Sequence, residues 1–205
     1  MIFEKLTKKG IKNLTYLTRG KRGLIYEGKY KNKEVVVKIK KPDSAAEGRI
    51  ANEEKWLKIL NKKGIAPKLL LSDNDFLCCE YVKGEFILDY FKKRNKKEII
   101  AVIKTMLEQM LVLDSLKMNK EEMHRPFRHI IIDSKNKPWL IDFERCYETE
   151  KPKNTTQFCQ FLLNSEEELR RKEICLNRQE LMDSAKEYKN EQSKKNFNRI
   201  IRLVK

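Results

Sequence analysis

Apolar and polar positions mix along residues 11–18 (Ile11-Lys12-Asn13-Leu14-Thr15-Tyr16-Leu17-Thr18), break at Gly20-Lys21-Arg22-Gly23, and resume at Leu24-Ile25-Tyr26-Glu27-Gly28. This order reads as strand, turn, strand. A second turn at Lys31-Asn32-Lys33 leads into Glu34-Val35-Val36-Val37-Lys38-Ile39-Lys40, whose β-branched run predicts a third strand. From about Ala45 to Lys62 the period becomes helical, with Ala46, Ile50, Leu57 and Leu60 on one face and Gly64 as a stop. At about 100° per residue Glu53 falls in the middle of that apolar stripe and Glu54 at its edge. A carboxylate centred on a buried face is costly unless it meets a cation, so Glu53 is the first anomaly that points to function.

Ala66–Leu71 and Phe76–Val82 read as short strands joined by the turn Asp73-Asn74-Asp75. After Gly84 the pattern predicts a short helix over Ile87–Lys93. A long one follows over Lys97–Leu116, with Ile99, Ile100, Ile103, Met106, Leu107, Met110 and Leu113 inward. A polar loop, Asn119–His129, precedes a hairpin formed by Ile130–Asp133 and Pro138–Asp142. From Thr155 onward the pattern suits charged amphipathic helices. Thr155-Thr156-Gln157-Phe158 reads as a helix cap and Asn177–Lys205 as solvated helix, and no internal repeat is present.

These elements predict an α+β chain. Its 205 residues suffice for one good core, and no Pro/Gly/Ser-rich stretch divides it. We expect a single domain of two lobes, residues 1–82 with an antiparallel sheet and one helix, and residues 83–205 forming a minimal helical lobe with a charged tail. No apolar run reaches the length of a membrane span, and the N-terminus lacks a signal peptide's apolar core. The expectation is a soluble cytoplasmic protein with no membrane partner. Five cysteines without C-x-x-C spacing suggest neither a disulfide framework nor a zinc site, and read as buried small hydrophobes.

The net charge of +16 is unevenly spread: residues 1–72 hold 19 Lys/Arg against 7 Asp/Glu, a net of +12. Such a surface attracts polyanions, whether nucleotide, RNA, a ribonucleoprotein or an acidic protein. A Lys/Glu-rich, Gly-poor composition is equally that of a thermophile's solvated surface.

Strand, glycine turn, strand-borne lysine, helix-borne glutamate and a later hairpin ending in aspartate is the order of parts in a protein kinase. The chain resembles that superfamily over roughly residues 11–165. The likeness is greatest to small divergent members such as the RIO kinases, the kinase of the KEOPS complex, lipopolysaccharide core kinases and a group of archaeal predicted Ser/Thr kinases. Gly20-Lys21-Arg22-Gly23-Leu24-Ile25-Tyr26 resembles the phosphate-covering loop, where glycines let backbone N–H groups approach phosphates. Gly20, Gly23 and Ile25 are its expected nucleotide contacts. Val35-Val36-Val37-Lys38 resembles V-A-I-K, whose lysine holds the α/β-phosphates and pairs with the helix glutamate, here Glu53. Glu80-Tyr81-Val82-Lys83-Gly84 resembles the hinge whose backbone takes the adenine edge, which implicates Glu80 and Val82. Trp139-Leu140-Ile141-Asp142-Phe143-Glu144 resembles the D-F-G segment with glutamate in place of glycine, so that Asp142 would hold Mg²⁺.

The usual catalytic loop H-x-D-x-x-x-x-N is absent. His129 stands where asparagine would, directly before the apolar strand, and counting back five residues reaches His124 rather than an acid; Glu122 lies seven back. Glu122 is the expected base for the acceptor hydroxyl and His124 its competitor. His129 is an expected metal ligand, and imidazole there would favour Mn²⁺ over Mg²⁺. Arg125 and Arg128 could steady the transferred phosphoryl group, or bind Glu122 or the Asp142 and Glu144 carboxylates. Only about sixty residues follow Phe143, without A-P-E, which disfavours a large peptide-docking platform.

What the resemblance implies is an ATP-dependent kinase with Mg²⁺ or Mn²⁺, acting on Ser/Thr of an unidentified protein acceptor. A small-molecule or sugar kinase of the same fold is the first alternative. A nucleotide-binding or RNA-associated module without transfer activity is the second.

Overall fold

Lys31 and Asn32 both carry positive φ, 47° and 61°, the backbone of a two-residue turn whose twist matches that of a hairpin. They join β2 (Gly23–Tyr30) to β3 (Lys33–Lys40), while α1 (Ile2–Lys8) and β1 (Ile11–Arg19) precede them. The computed structural model describes residues 2–20, 23–41 and 48–205. Lys21 and Arg22 of the glycine turn, and Ala45 and Ala46 at the expected start of the first long helix, lie outside the described residues.

The chain divides into two units, and the first takes the residues up to Val82 together with Ile141–Arg145. It contains α2 (Arg49–Asn61), β4 (Leu69–Asp73) and β5 (Phe76–Glu80), and its five strands form one antiparallel sheet in the order β1-β2-β3-β5-β4. Side chains alternate across a strand. Val35, Val37 and Ile39 therefore enter a core with Leu6 of α1, Ile11, Phe76 and Cys78, and Val36, Lys38 and Lys40 point the other way. Helix α1 was not expected from the pattern; it is tied to the β4–β5 turn by Lys5, 3.0 Å from Asp73 and 2.7 Å from Asp75, and by Lys9, 3.2 Å from Asp73. Helix α2 buries Ile50, Glu53, Trp56, Leu57 and Leu60. Strand β4 begins three residues later than expected. The Asn61 side-chain amide donates to the carbonyls of Ala66 and Pro67 and its oxygen accepts the Leu69 N–H, while Pro67 itself has no N–H for a ladder.

The second unit takes Lys83–Leu140 and Cys146–Lys205. In order it contains β6 (Gly84–Phe86), α3 (Ile87–Lys93), α4 (Lys96–Ser115), β7 (Met118–Asn119), β8 (Ile130–Asp133), β9 (Pro138–Leu140), β10 (Tyr147–Glu148), α5 (Asn154–Asn164), α6 (Glu166–Arg170), α7 (Arg178–Asn190) and α8 (Lys194–Arg202). Strands β6, β8 and β9 make one antiparallel sheet, and β7 pairs with β10. The expected hairpin is β8–β9, ending at Leu140. Its turn is closed by Asp133, whose carboxylate accepts from the Lys135 and Lys137 backbone N–H groups and from the Trp139 indole. Strand β6 was missed. A Cβ on Gly84 would stand 2.2 Å from the Ile132 carbonyl oxygen, so glycine is what lets β6 lie against β8.

Helix α4 is the centre of this unit, with Ile99, Val102, Ile103, Met106, Leu107, Met110 and Leu113 buried. Ile100, expected inward, is half-buried. At the end of α4 the buried Asp114 accepts from the backbone and side-chain N–H of Asn154, from the backbone N–H and hydroxyl of Thr155, and from the Tyr188 hydroxyl. This carboxylate overturns two expectations. Thr155 does not cap a helix, because α5 already starts at Asn154 and the Thr155 hydroxyl is turned inward. Nor is the tail a solvated helix, since Leu181, Tyr188, Phe197, Ile200 and Val204 are all buried. Its many charges hid a sparse apolar stripe. Helix α5 carries no charged residue at all, against the expectation for the region after Thr155. Among the described residues no helix is long and apolar enough to cross a membrane. Among the described residues the cysteines form no disulfide, with Cys78, Cys146 and Cys159 buried, Cys79 half-buried and Cys175 exposed.

Candidate functional site

Lys38 lies on the sheet face opposite the Leu6 core, and its ammonium is met there by three carboxylates from two other segments. Glu53 of α2 is 2.7 Å away, Asp142 3.0 Å and Glu144 2.9 Å. The carboxylate that the helical wheel centres on the apolar stripe thus meets a cation, as its burial requires: Glu53 is 5% exposed. Its second oxygen accepts the backbone N–H of the buried Phe143 at 3.1 Å. Glu53 is thereby tied both to the strand lysine and to the segment that follows the hairpin.

That segment turns at Asp142, whose φ of 62° is left-handed, a conformation aspartate tolerates better than most residues. The turn buries Phe143 and brings Glu144 back toward Lys38. The Glu144 carbonyl accepts from the Arg49 guanidinium at 3.2 Å and the Asn52 amide at 3.1 Å, so the first turns of α2 hold the backbone that delivers its carboxylate. Burial works against the Lys38 ammonium, but Glu53, Asp142 and Glu144 outweigh it and hold the lysine above its ordinary range. Burial pushes the Glu53 carboxyl up; Lys38 and the Phe143 N–H oppose this, the Asp142 charge adds to it, and the net shift is upward.

Of the other expected nucleotide contacts in this unit, Gly20 donates its N–H to the Gly23 carbonyl at 2.9 Å, and its carbonyl accepts from Lys41 at 2.7 Å. Gly23 starts β2, where a Cβ would come within 3.4 Å of the Lys38 side chain and 3.0 Å of the Ile39 carbonyl. Ile25 faces Lys38 in the β2–β3 register. Glu80 ends β5 with its carboxylate on Lys33 at 2.6 Å, and the Tyr81 N–H donates to the Glu34 carbonyl, extending the β3–β5 pairing to Tyr81.

In the second unit the loop before β8 is pinned by buried Met123, Pro126 and Ile130. Glu122 has a left-handed φ of 72°, uncommon for a long side chain, and its carboxylate lies 2.9 Å from His129 Nε2. Sequence spacing did not anticipate that these two residues touch. Through Nε2, His129 is the partner of this carboxylate. His124, Arg125 and Arg128 are exposed. The loop also begins differently from expectation, since Asn119 belongs to β7, and the adjacent Lys120 is buried with its N–H on the Asn154 side chain.

Glu144, as a partner of Lys38, and the Arg49 and Asn52 contacts to its carbonyl were missed by the sequence reading. The signal for Glu144 was present: a carboxylate standing where a glycine was expected, two residues after Asp142. Glu53, Asp142 and Glu144 offer oxygen atoms all within 4.8 Å of one another, a donor set whose chemistry suits a hard divalent cation. No protein-family model and no curated protein matches the chain.

Proposed function

We propose that the chain is an ATP-dependent phosphotransferase in which Lys38 holds the α/β-phosphates. The observation that carries this reading is the convergence of Lys38, Glu53 and Asp142 from a strand, a helix and a turn far apart in sequence. A structural ion pair needs two partners, whereas a lysine flanked by a buried glutamate and a half-exposed aspartate is arranged to meet phosphate and a cation together. Asp142 and Glu144 would hold Mg²⁺, which supplies charge neutralisation on the phosphates; the oxygen-only set favours it over Mn²⁺. The Tyr81 N–H is already bonded to the sheet, so the adenine edge falls to the Glu80 carbonyl and the Val82 N–H.

Transfer to a hydroxyl needs a group that receives or orients its proton. Glu122 of the second unit has that chemistry, with His129 orienting the carboxylate. A serine or threonine hydroxyl of a protein is the acceptor class we favour, with a sugar or other small alcohol as the alternative. The reading in which the chain only binds nucleotide has its own support, because no aspartate stands in the loop and Glu122 is engaged by a histidine.

The test is incubation of the purified protein with γ-labelled ATP and Mg²⁺, alone and with mixed proteins or sugars, beside Lys38→Met. Label appearing on the protein or an acceptor, and lost in the variant, is the expected result. Binding of ATP with no label leaving it would leave only the binding module, and absence of ATP binding would remove both.

A further inference from the structure

Asparagine is a weak helix former, because its short polar side chain competes with the backbone for hydrogen bonds. Asn52 nevertheless stands inside α2, where its backbone N–H closes the first turn on the Gly48 carbonyl at 2.8 Å. Its side-chain amide accounts for the choice: it donates to the Glu144 carbonyl at 3.1 Å, beside the Arg49 guanidinium at 3.2 Å. The next residue, Glu53, accepts the Phe143 N–H at 3.1 Å. Two consecutive helix residues thus grip two consecutive residues of another segment, one as donor and one as acceptor.

The gripped residues directly follow Asp142, whose φ of 62° is left-handed. A residue other than glycine keeps such a backbone only where its surroundings fix it. The Asp142 side chain is 41% exposed, so its own packing does little of this, and the hydrogen bonds on Phe143 and Glu144 do more. Glu53 is not a separable part of the grip, because it also holds Lys38 at 2.7 Å. Asn52 carries no charge, so its amide can be removed without altering the charge around Lys38.

We infer that Asn52 is a positioning residue for nucleotide binding: by fixing the Glu144 main chain it holds the left-handed turn that places the Asp142 carboxylate beside Lys38. The inference rests on the ATP reading above and names what sets up the arrangement that reading uses. The turn is held before any nucleotide arrives, so the role is measurable in the protein alone. Arg49 shares the same carbonyl, so loss of the Asn52 amide loosens the turn without releasing it.

The experiment is amide exchange of wild type and Asn52→Leu without nucleotide, followed by calorimetric titration of a non-hydrolysable ATP analogue in MgCl₂. Leucine lacks the donor and favours a helix, so α2 should persist, with urea unfolding as the control. Asn52→Ala takes its place if the leucine variant does not fold. The Phe143 amide is expected to exchange about tenfold faster in the variant, the scale of one hydrogen bond, while amides of the central strand β3 keep their rates. The analogue is expected to bind the variant about tenfold more weakly. The inference is overturned if Phe143 keeps its rate, or if Phe143 and β3 speed up by the same factor, since Asn52 then serves the fold at large. It is equally overturned if wild type and folded variant bind the analogue alike; the ATP reading survives all three results. If wild type does not bind the analogue, the ATP reading fails and takes this inference with it.

Discussion

The backbone N–H of Phe143 donates to Glu53 across 90 positions of sequence, while the other oxygen of the same carboxylate holds Lys38 at 2.7 Å. One buried side chain therefore couples strand β3, helix α2 and the turn at Asp142. Its energetics are those of a buried charge whose partners cannot be removed singly.

Lys38→Met leaves Glu53 buried without its cation, and the expected loss is about 3 kcal/mol near neutral pH, read from urea unfolding. The sign with pH follows from the shift. A carboxyl whose folded pKa lies above its unfolded value binds more protons when folded, so its contribution falls as pH rises through that window. The deficit of the variant should thus shrink on going from pH 7 to pH 5. Lys38→Met combined with Glu53→Gln should recover part of the loss, because no buried charge is left at position 53 and the amide oxygen still accepts the Phe143 N–H. A deficit independent of pH would count against this account.

Helix α1 depends on exposed charges. Hydrogen bonds from Lys5 and Lys9, with the Asn74 N–H, hold the Asp73 carboxyl down at about 2, against an ordinary 3.8. A depressed carboxyl contributes stability that is present above the unfolded value and is lost as pH falls through the folded one. Acid titration followed by circular dichroism should therefore show a loss of stability between about pH 4 and 2 that Asp73→Asn lacks. High salt should weaken the same contribution, since these groups face solvent.

Gly84→Ala drives a methyl group into the Ile132 carbonyl. The expected cost is about 2 kcal/mol or more, seen as a lower urea midpoint, unless β6 separates from β8. Amide exchange in β6 distinguishes the two responses: overpacking alone leaves the amides that face β8 protected, and separation exposes them.

Asp114 gathers the start of α5 and the last turn of α7 onto α4. Tyr188→Phe removes one of its donors and should cost about 1 kcal/mol. Deleting the chain after Asn177 removes Leu181, Tyr188, Phe197 and Ile200 from the core, and the second unit should then lose its near-ultraviolet dichroism. A truncated protein with unchanged near-ultraviolet signal would contradict the packed tail.

If Glu122 serves transfer rather than nucleotide binding, Glu122→Gln should lower kcat by about a hundredfold or more and leave the nucleotide Kd unchanged. His129→Gln keeps a donor for the carboxylate and should retain more activity than His129→Ala. His124→Ala, at an exposed position, should have little effect. The reverse ranking would make His124 the base.

Much of this architecture was legible because local patterning and burial agree. The period-two run around Val35–Ile39 and the helical period around Ile50–Leu60 are enforced by one buried face each, and the sheet and α2 follow them. The same logic exposed Glu53, because a charge on an apolar stripe is a local contradiction that only a distant partner can resolve. Lys38 was nameable as that partner from the order of elements, but the contact itself is a property of the fold. The tail misled for the opposite reason: its buried residues are few and widely spaced among charges, so composition outweighed periodicity until α4 and α5 supplied the surface they cover. The Glu122–His129 pair and the three-carboxylate ring on Lys38 depend on two left-handed residues, Glu122 and Asp142, neither a glycine that would announce the turn. Sequence alone thus determined most of the strands and helices, though not α1 or β6, and which charge is out of place. Only the tertiary structure decided which carboxylates share Lys38, because main-chain turns and long-range hydrogen bonds bring together groups that no local pattern relates.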